Sequence, residues 1–138
     1  MTGFRFRYRT SGGKPTVQKI VCKDTETLHS GDIANLESGE IDLAATGDTN
    51  LLGAIQNTAE GVDSTTKFDV IVDDDAVYGV VDNNARKKGA TLDITGATGA
   101  QGLAASENKE FVVVADSLAT EETLVRFNVG KHHDNKAQ

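Results

Sequence analysis

Along most of this chain, apolar and polar residues alternate in short runs of four to six positions, separated by Gly, Asn, Asp and Ser. That period of two is the mark of half-buried strands, because successive side chains of an extended backbone point to opposite faces. It predicts strands at 17–22, 33–36, 40–44, 51–56, 68–73, 76–81, 91–95, 111–114 and 124–129, with turns at 29–32, 37–39 and 46–48. Within them Phe68, Val70 and Val72 share a face, as do Val125, Phe127 and Val129, while 111–114 is apolar on both faces in the manner of a central strand. Only 116–122, capped by Asp116 or Ser117, invites a helical turn. The class this predicts is all-β, a small single-domain barrel or meander.

The first run differs from the rest. Phe4-Arg5-Phe6-Arg7-Tyr8-Arg9 alternates rings with guanidinium groups, so an extended backbone places Phe4, Phe6 and Tyr8 on one side and Arg5, Arg7 and Arg9 on the other. Residues 10–15, with Gly12, Gly13 and Pro15, read as a hinge. The organisation expected is an extended N-terminal arm over 1–15, a β-rich body over 16–130 and a polar tail over 131–138. A segment this rich in aromatic residues is suited to joining the sheet edge of a partner, with backbone pairing for affinity and alternate side chains for specificity.

Charge sharpens the contrast. Residues 1–23 carry six bases and no acid, whereas the other 8 bases face all 21 acids, a balance of −13 within a net −7 over 138 residues. An acidic body repels phosphates, which argues against a direct nucleic-acid partner. No run approaches the roughly 20 apolar residues of a membrane-spanning helix. The opening residues lack the apolar stretch of a secretory signal, and a lone Cys22 rules out an internal disulfide framework, so the expectation is folding in a reducing cytosol.

Chemistry-bearing candidates are few. Asp73-Asp74-Asp75 lacks the spaced oxygens of a calcium loop and reads as a solvated turn. Gly12-Gly13-Lys14-Pro15-Thr16 lacks the glycine spacing of a phosphate loop, and Gly96, Gly99 and Gly102 read as turn glycines. His29 near Ser30 and Asp32 does not make a catalytic triad, His132 and His133 fall in the polar tail, and Cys22 reads as a small core residue. The expectation is a protein with no catalytic residues, no metal and no cofactor.

Two family resemblances bear on function. Ile41-Asp42-Leu43-Ala44-Ala45 and Gly79-Val80-Val81-Asp82 resemble two short motifs of trimeric dUTP pyrophosphatases, but the Arg-Ser-Gly phosphate loop, the tyrosine motif after Asp82 and the closing glycine-rich arginine motif are absent. Without those donors, triphosphate binding has no physical basis. The second resemblance covers roughly residues 20–128. Ser30-Gly31-Asp32, the run from Gly39 to Gly53, Asp74-Asp75-Ala76-Val77-Tyr78-Gly79-Val80, the run from Gly89 to Gly96, Lys109 to Asp116 and Glu122 to Phe127 together resemble the capsid decoration, or head-stabilising, proteins of tailed bacteriophages.

That resemblance implies a β-tulip or barrel domain on the outer surface of the expanded capsid. It further implies a virion protein made in the host cytoplasm, with the major capsid protein as partner and trimers at local threefold positions. Phe4, Arg5, Phe6, Arg7, Tyr8 and Arg9 are then expected to grip the capsid, with the rings in a groove and the arginines on rim acids. Deleting 1–14 is expected to abolish binding and leave the body folded. The alternative, an adhesion or carbohydrate-binding module, needs exposed rings, and outside the arm only Phe68, Tyr78, Phe111 and Phe127 exist.

Overall fold

The computed structural model describes residues 3–23, 25–59, 65–105 and 107–134. Among them every regular element is a strand: β1 (Arg5–Arg9), β2 (Val17–Val21), β3 (Ile33–Glu37), β4 (Glu40–Leu43), β5 (Leu51–Ala54), β6 (Lys67–Ile71), β7 (Ala76–Val81), β8 (Thr91–Thr95), β9 (Gly102–Ala104), β10 (Phe111–Val113) and β11 (Glu122–Phe127). The fold is all-β.

Six strands form one sheet in the order β1-β7-β11-β10-β8-β9, with every neighbouring pair antiparallel. Three more form β4-β3-β5, and β2 pairs with β6. The ladders do not close into a barrel. The two small sheets are instead joined by single bridges, Ile55 to Val70 and Cys22 to Ile41.

The arrangement encloses two cores. Phe4, Ile33, Leu51, Ile71, Tyr78, Ile94, Phe111, Val125 and Phe127 contribute to the first, against the large sheet. Cys22, Leu28, Ile41, Leu52, Ile55, Phe68 and Val70 contribute to the second, among the small sheets. A β-bulge explains how one strand serves both: the register against β3 slips between Gly53 and Leu51 and leaves Leu52 as the extra residue, so Leu51 and Ala54 face the first core and Leu52 faces the second. All four residues of β5 are therefore buried.

Several sequence expectations need correction. Residues 1–2 of the expected 1–15 arm lie outside the described residues, but the run that follows is part of the body, because Arg5–Arg9 is the edge strand of the large sheet and Phe4 is only 1% exposed. Phe4 stacks on Phe111 at 5.1 Å, and Phe111 stacks on Phe127 at 5.3 Å. Sequestering a phenyl ring and adding it to an aromatic stack outweighs leaving the segment in water. The 131–138 tail is not wholly outside the body either, since His132 is fully buried; residues 135–138 lie outside the described residues.

Residues 116–122 form no helix. Ser117 is held in a bridge to Arg86, and Thr120 takes a left-handed φ of 67°, which turns the chain into β11. Val129 lies beyond that strand and is 70% exposed, although Val125 and Phe127 face inward as expected.

Candidate functional site

The run Phe4 to Arg9 lies at the edge of the large sheet, and a β-bulge decides which of its side chains reach solvent. Arg5 pairs with Gly79 and Phe6 with Tyr78, but the register then slips so that Tyr8 opposes Val77 and Arg9 opposes Ala76. The extra residue, Arg7, breaks the alternation. Before the bulge, Phe4 and Phe6 face the core while Arg5 faces out. After it, Tyr8 is 46% exposed and Arg9 is half-buried.

The arginines consequently have separate roles. Arg7 forms a two-point ion pair with Glu122 of β11, with Nε 2.7 Å from Oε1, and spans β7 above Gly79. A Cβ at Gly79 would lie 2.2 Å from the Glu122 carboxyl carbon, so the absent side chain makes room for the pair. Arg9 donates to Asp75 at 2.9 Å and lies 3.5 Å from Asp73. Lys19 pairs with Asp69, and Lys23 with Glu37 and Asp42. Among the described residues, Arg5 and Lys14 are left as the cations of the basic N-terminal stretch without an acid of their own chain.

The acidic turn is therefore more than a solvated corner. Asp73 accepts from the Thr16 amide at 2.6 Å, and Asp75 accepts from the Ser11 amide at 3.0 Å and from its hydroxyl. Burial pushes the Asp75 carboxyl up, but the Ser11 and Arg9 donors outweigh it and hold it down at about 2. A depressed carboxyl contributes stability that is complete above the ordinary value near 3.8 and is lost as pH falls toward 2. The stability difference between wild type and Asp75→Asn, followed by urea melts, is expected to shrink across that window.

Beside the outer edge of β1 lies a half-open cleft of about 390 Å³, lined by Gly3, Phe4, Arg5, Phe6, Ser30, Gly31, Ile55 and Gln56. The Phe4 amide donates to Gly31 O at 2.8 Å, and Gly31 N donates to Ile55 O at 2.8 Å. Gly3 and Gly31 both have positive φ, 107° and 94°, and pass so closely that a Cβ on either would rest 3.4–3.5 Å from the other's backbone. This crossing sets the cleft between the large sheet and the end of β5.

Its far wall is braced from beneath by Asp32, which is 1% exposed. The carboxylate accepts from the amides of His29 and Gly99, each at 2.8 Å, and from Thr98 Oγ1 at 2.5 Å. His29 Nδ1 is 2.8 Å from that same hydroxyl. With its proton directed to Asp32, Thr98 is left to accept from Nδ1–H. The hydroxyl thus stands between acid and imidazole, which reverses the order needed to activate a nucleophile. Local spacing hinted at His29 and Asp32, but Thr98 comes from a distant loop that the sequence marked only as a turn.

The remaining candidates are committed elsewhere. Asp82 bonds Arg86 at 2.5 Å, Asp42 pairs with Lys23, and Cys22 is buried. Phe68, Tyr78, Phe111 and Phe127 are all core rings, which removes them as an exposed stacking surface for sugars. Of the six residues expected to grip a partner, Phe4 is in the core, Phe6 is half-buried, and Arg7 and Arg9 serve their own chain. Arg5 and Tyr8 are presented at the edge. A scan against models of known protein families and a search of curated proteins each return no match.

Proposed function

We propose that the chain is a structural virion protein that binds the outer surface of the expanded tailed-phage capsid and stabilises it, three copies gathering at each local threefold position. The observation that carries this reading is the outer edge of β1, where Arg5 lines the cleft and, among the described residues, has no acid of its own chain. An extended segment of the major capsid protein would add along β1, with a carboxylate meeting Arg5 and an apolar side chain against Tyr8. A binder that prefers the expanded lattice stabilises it by RT ln(1 + [L]/Kd) at each independent site, so many modest contacts add up.

The test is sedimentation of purified protein with expanded, DNA-free shells and with unexpanded procapsids. Saturable binding to the expanded shell alone, weakened by salt, is expected. Arg5→Glu is expected to weaken that binding about tenfold or more, the scale of a lost charge pair at an interface, while Lys14→Glu changes it little. Binding to neither shell, or equally to both, would remove the proposal.

A further inference from the structure

The chain after β11 returns to the body and lies along β5. Leu51 N donates to Lys131 O at 2.9 Å, and His133 N donates to Leu51 O at 2.8 Å. These two bonds form a parallel bridge between Leu51 and His132, on the side of β5 that no strand of its sheet occupies. The segment 130–134 is thus a strap over a sheet edge.

Two side chains hold it: His133 Nδ1 lies 3.0 Å from Asn50 Oδ1 at the surface, and His132 is the buried pin. His132 is fully buried, with its ring 5.1 Å from that of Phe127. Nε2 lies 2.7 Å from Leu52 O, and Nδ1 lies 2.9 Å from the amide of Asp134. A carbonyl faces Nε2, so that nitrogen carries the hydrogen; an N–H faces Nδ1, so that nitrogen must offer its lone pair. The strap therefore closes on the neutral ring alone. A second proton would oppose the Asp134 amide and place a charge against Phe127, with the core as its surroundings.

We propose that residues 130–134 are an acid-released strap, pinned by His132, that covers the outer edge of β5 at neutral pH and uncovers it on acidification.

Burial holds the His132 imidazolium below the ordinary histidine range; the Leu52 carbonyl and the charges of Asp134 and Asp74 oppose that, and His133 adds to it. Asp74 comes from the turn between β6 and β7, and Asp134 and His133 from the strap; the contacts from β5 and β11, through Leu52 and Phe127, are uncharged. A base with a lowered value in the closed state binds its proton more readily once released. The open population is therefore expected to rise about tenfold for each pH unit below about 6.5, until the closed ring protonates too. Opening frees the Leu51 amide and carbonyl, which is the pairing edge a further strand would need.

Amide hydrogen exchange on the full chain between pH 7.5 and 4.5, corrected for intrinsic rates, reads this out. Protection at Leu51 and His133 is expected to fall in step with protonation of the His132 ring, followed by carbon-13 shifts, while Tyr78 and Val125 keep theirs. His132→Gln can still donate and accept but does not titrate, and its protection at Leu51 is expected to stay flat. An equal fall in that variant would assign the acid response elsewhere and overturn the proposal. If the variant does not fold, the wild-type comparison decides: ring protonation without loss of protection, or loss at a different midpoint, overturns it.

Discussion

Phe4→Ala is expected to lower unfolding stability by about 3–5 kcal/mol, the range for removing a buried phenyl ring where the site collapses only partly. Phe4 is 1% exposed and forms the outer end of a stack that continues through Phe111 to Phe127. Its loss leaves a void between the large sheet and the Gly3–Gly31 crossing, where close backbone contacts limit relaxation. Deleting 1–14 removes this ring together with the whole β1–β7 ladder and the ion pairs of Arg7 and Arg9. The shortened chain is therefore expected to be markedly destabilised, which corrects the simple picture of a detachable arm. Urea denaturation measures both effects. Arg5→Glu is the surface control, expected to stay within about 0.5 kcal/mol of wild type. A Phe4→Ala protein within 1 kcal/mol of wild type, on the scale of a surface change, would mean that the segment merely rests on the body.

Gly53→Ala is expected to cost about 3 kcal/mol or more, at the upper end of overpacking penalties. A Cβ there would lie 2.1 Å from Ile71 O and 2.4 Å from Tyr78 Oη. The first is backbone of β6, so relief requires moving a strand rather than turning a side chain. The second belongs to a fully buried phenol that accepts from the Ala54 amide at 3.1 Å, and displacing it also leaves that donor without its partner. Gly53 thus sets how closely β5 approaches β6 and Tyr78. Gly39→Ala provides the comparison: its φ is 81° and nothing lies within 4 Å of the added carbon, so only backbone strain of about 1–2 kcal/mol is expected. Thermal and urea melts of the two variants should separate them clearly. Similar small losses would mean that the contact between β5 and β6 is loose.

Alternation made most of this fold legible. The expected strand at 76–81 coincides with β7, that at 91–95 with β8, and the inward set Val125 and Phe127 lies on β11 as its period requires. Three residues, Gly102–Ala104, are too few to carry a period, and of β9 only Gly102 stands out in the sequence, as a turn glycine. Its partners, Asp93, Ile94 and Thr95 of β8, lie 11, 9 and 7 residues away, and so short a pairing leaves no periodic mark.

The site was legible only in part. The ring and arginine alternation marks an extended strand, but that it joins the sheet of its own chain depends on Tyr78, Phe111 and Phe127, which local spacing does not relate to Phe4. The bulge at Arg7 was hidden for the same reason, and with it the separate fates of Arg5, Arg7 and Arg9. Polar context likewise misplaced His132, because Lys131 and Asp134 point to a tail while two backbone bonds to Leu51 draw the ring inside. Acids at 73 and 75 looked solvated until their donors, Thr16, Ser11 and Arg9, were brought to them by the β1–β7 and β2–β6 pairings.

The claim on which the functional account stands is that β1 remains part of its own sheet and offers its outer edge to the shell. Electron cryomicroscopy of expanded shells saturated with the protein tests it most directly. The account expects Arg5–Arg9 still paired with β7, and a strand of the shell protein along the other side of β1 with an acidic side chain at Arg5. Residues 3–9 drawn out of the sheet and threaded onto the shell, or contact made through another face with the β1 edge left bare, would contradict it.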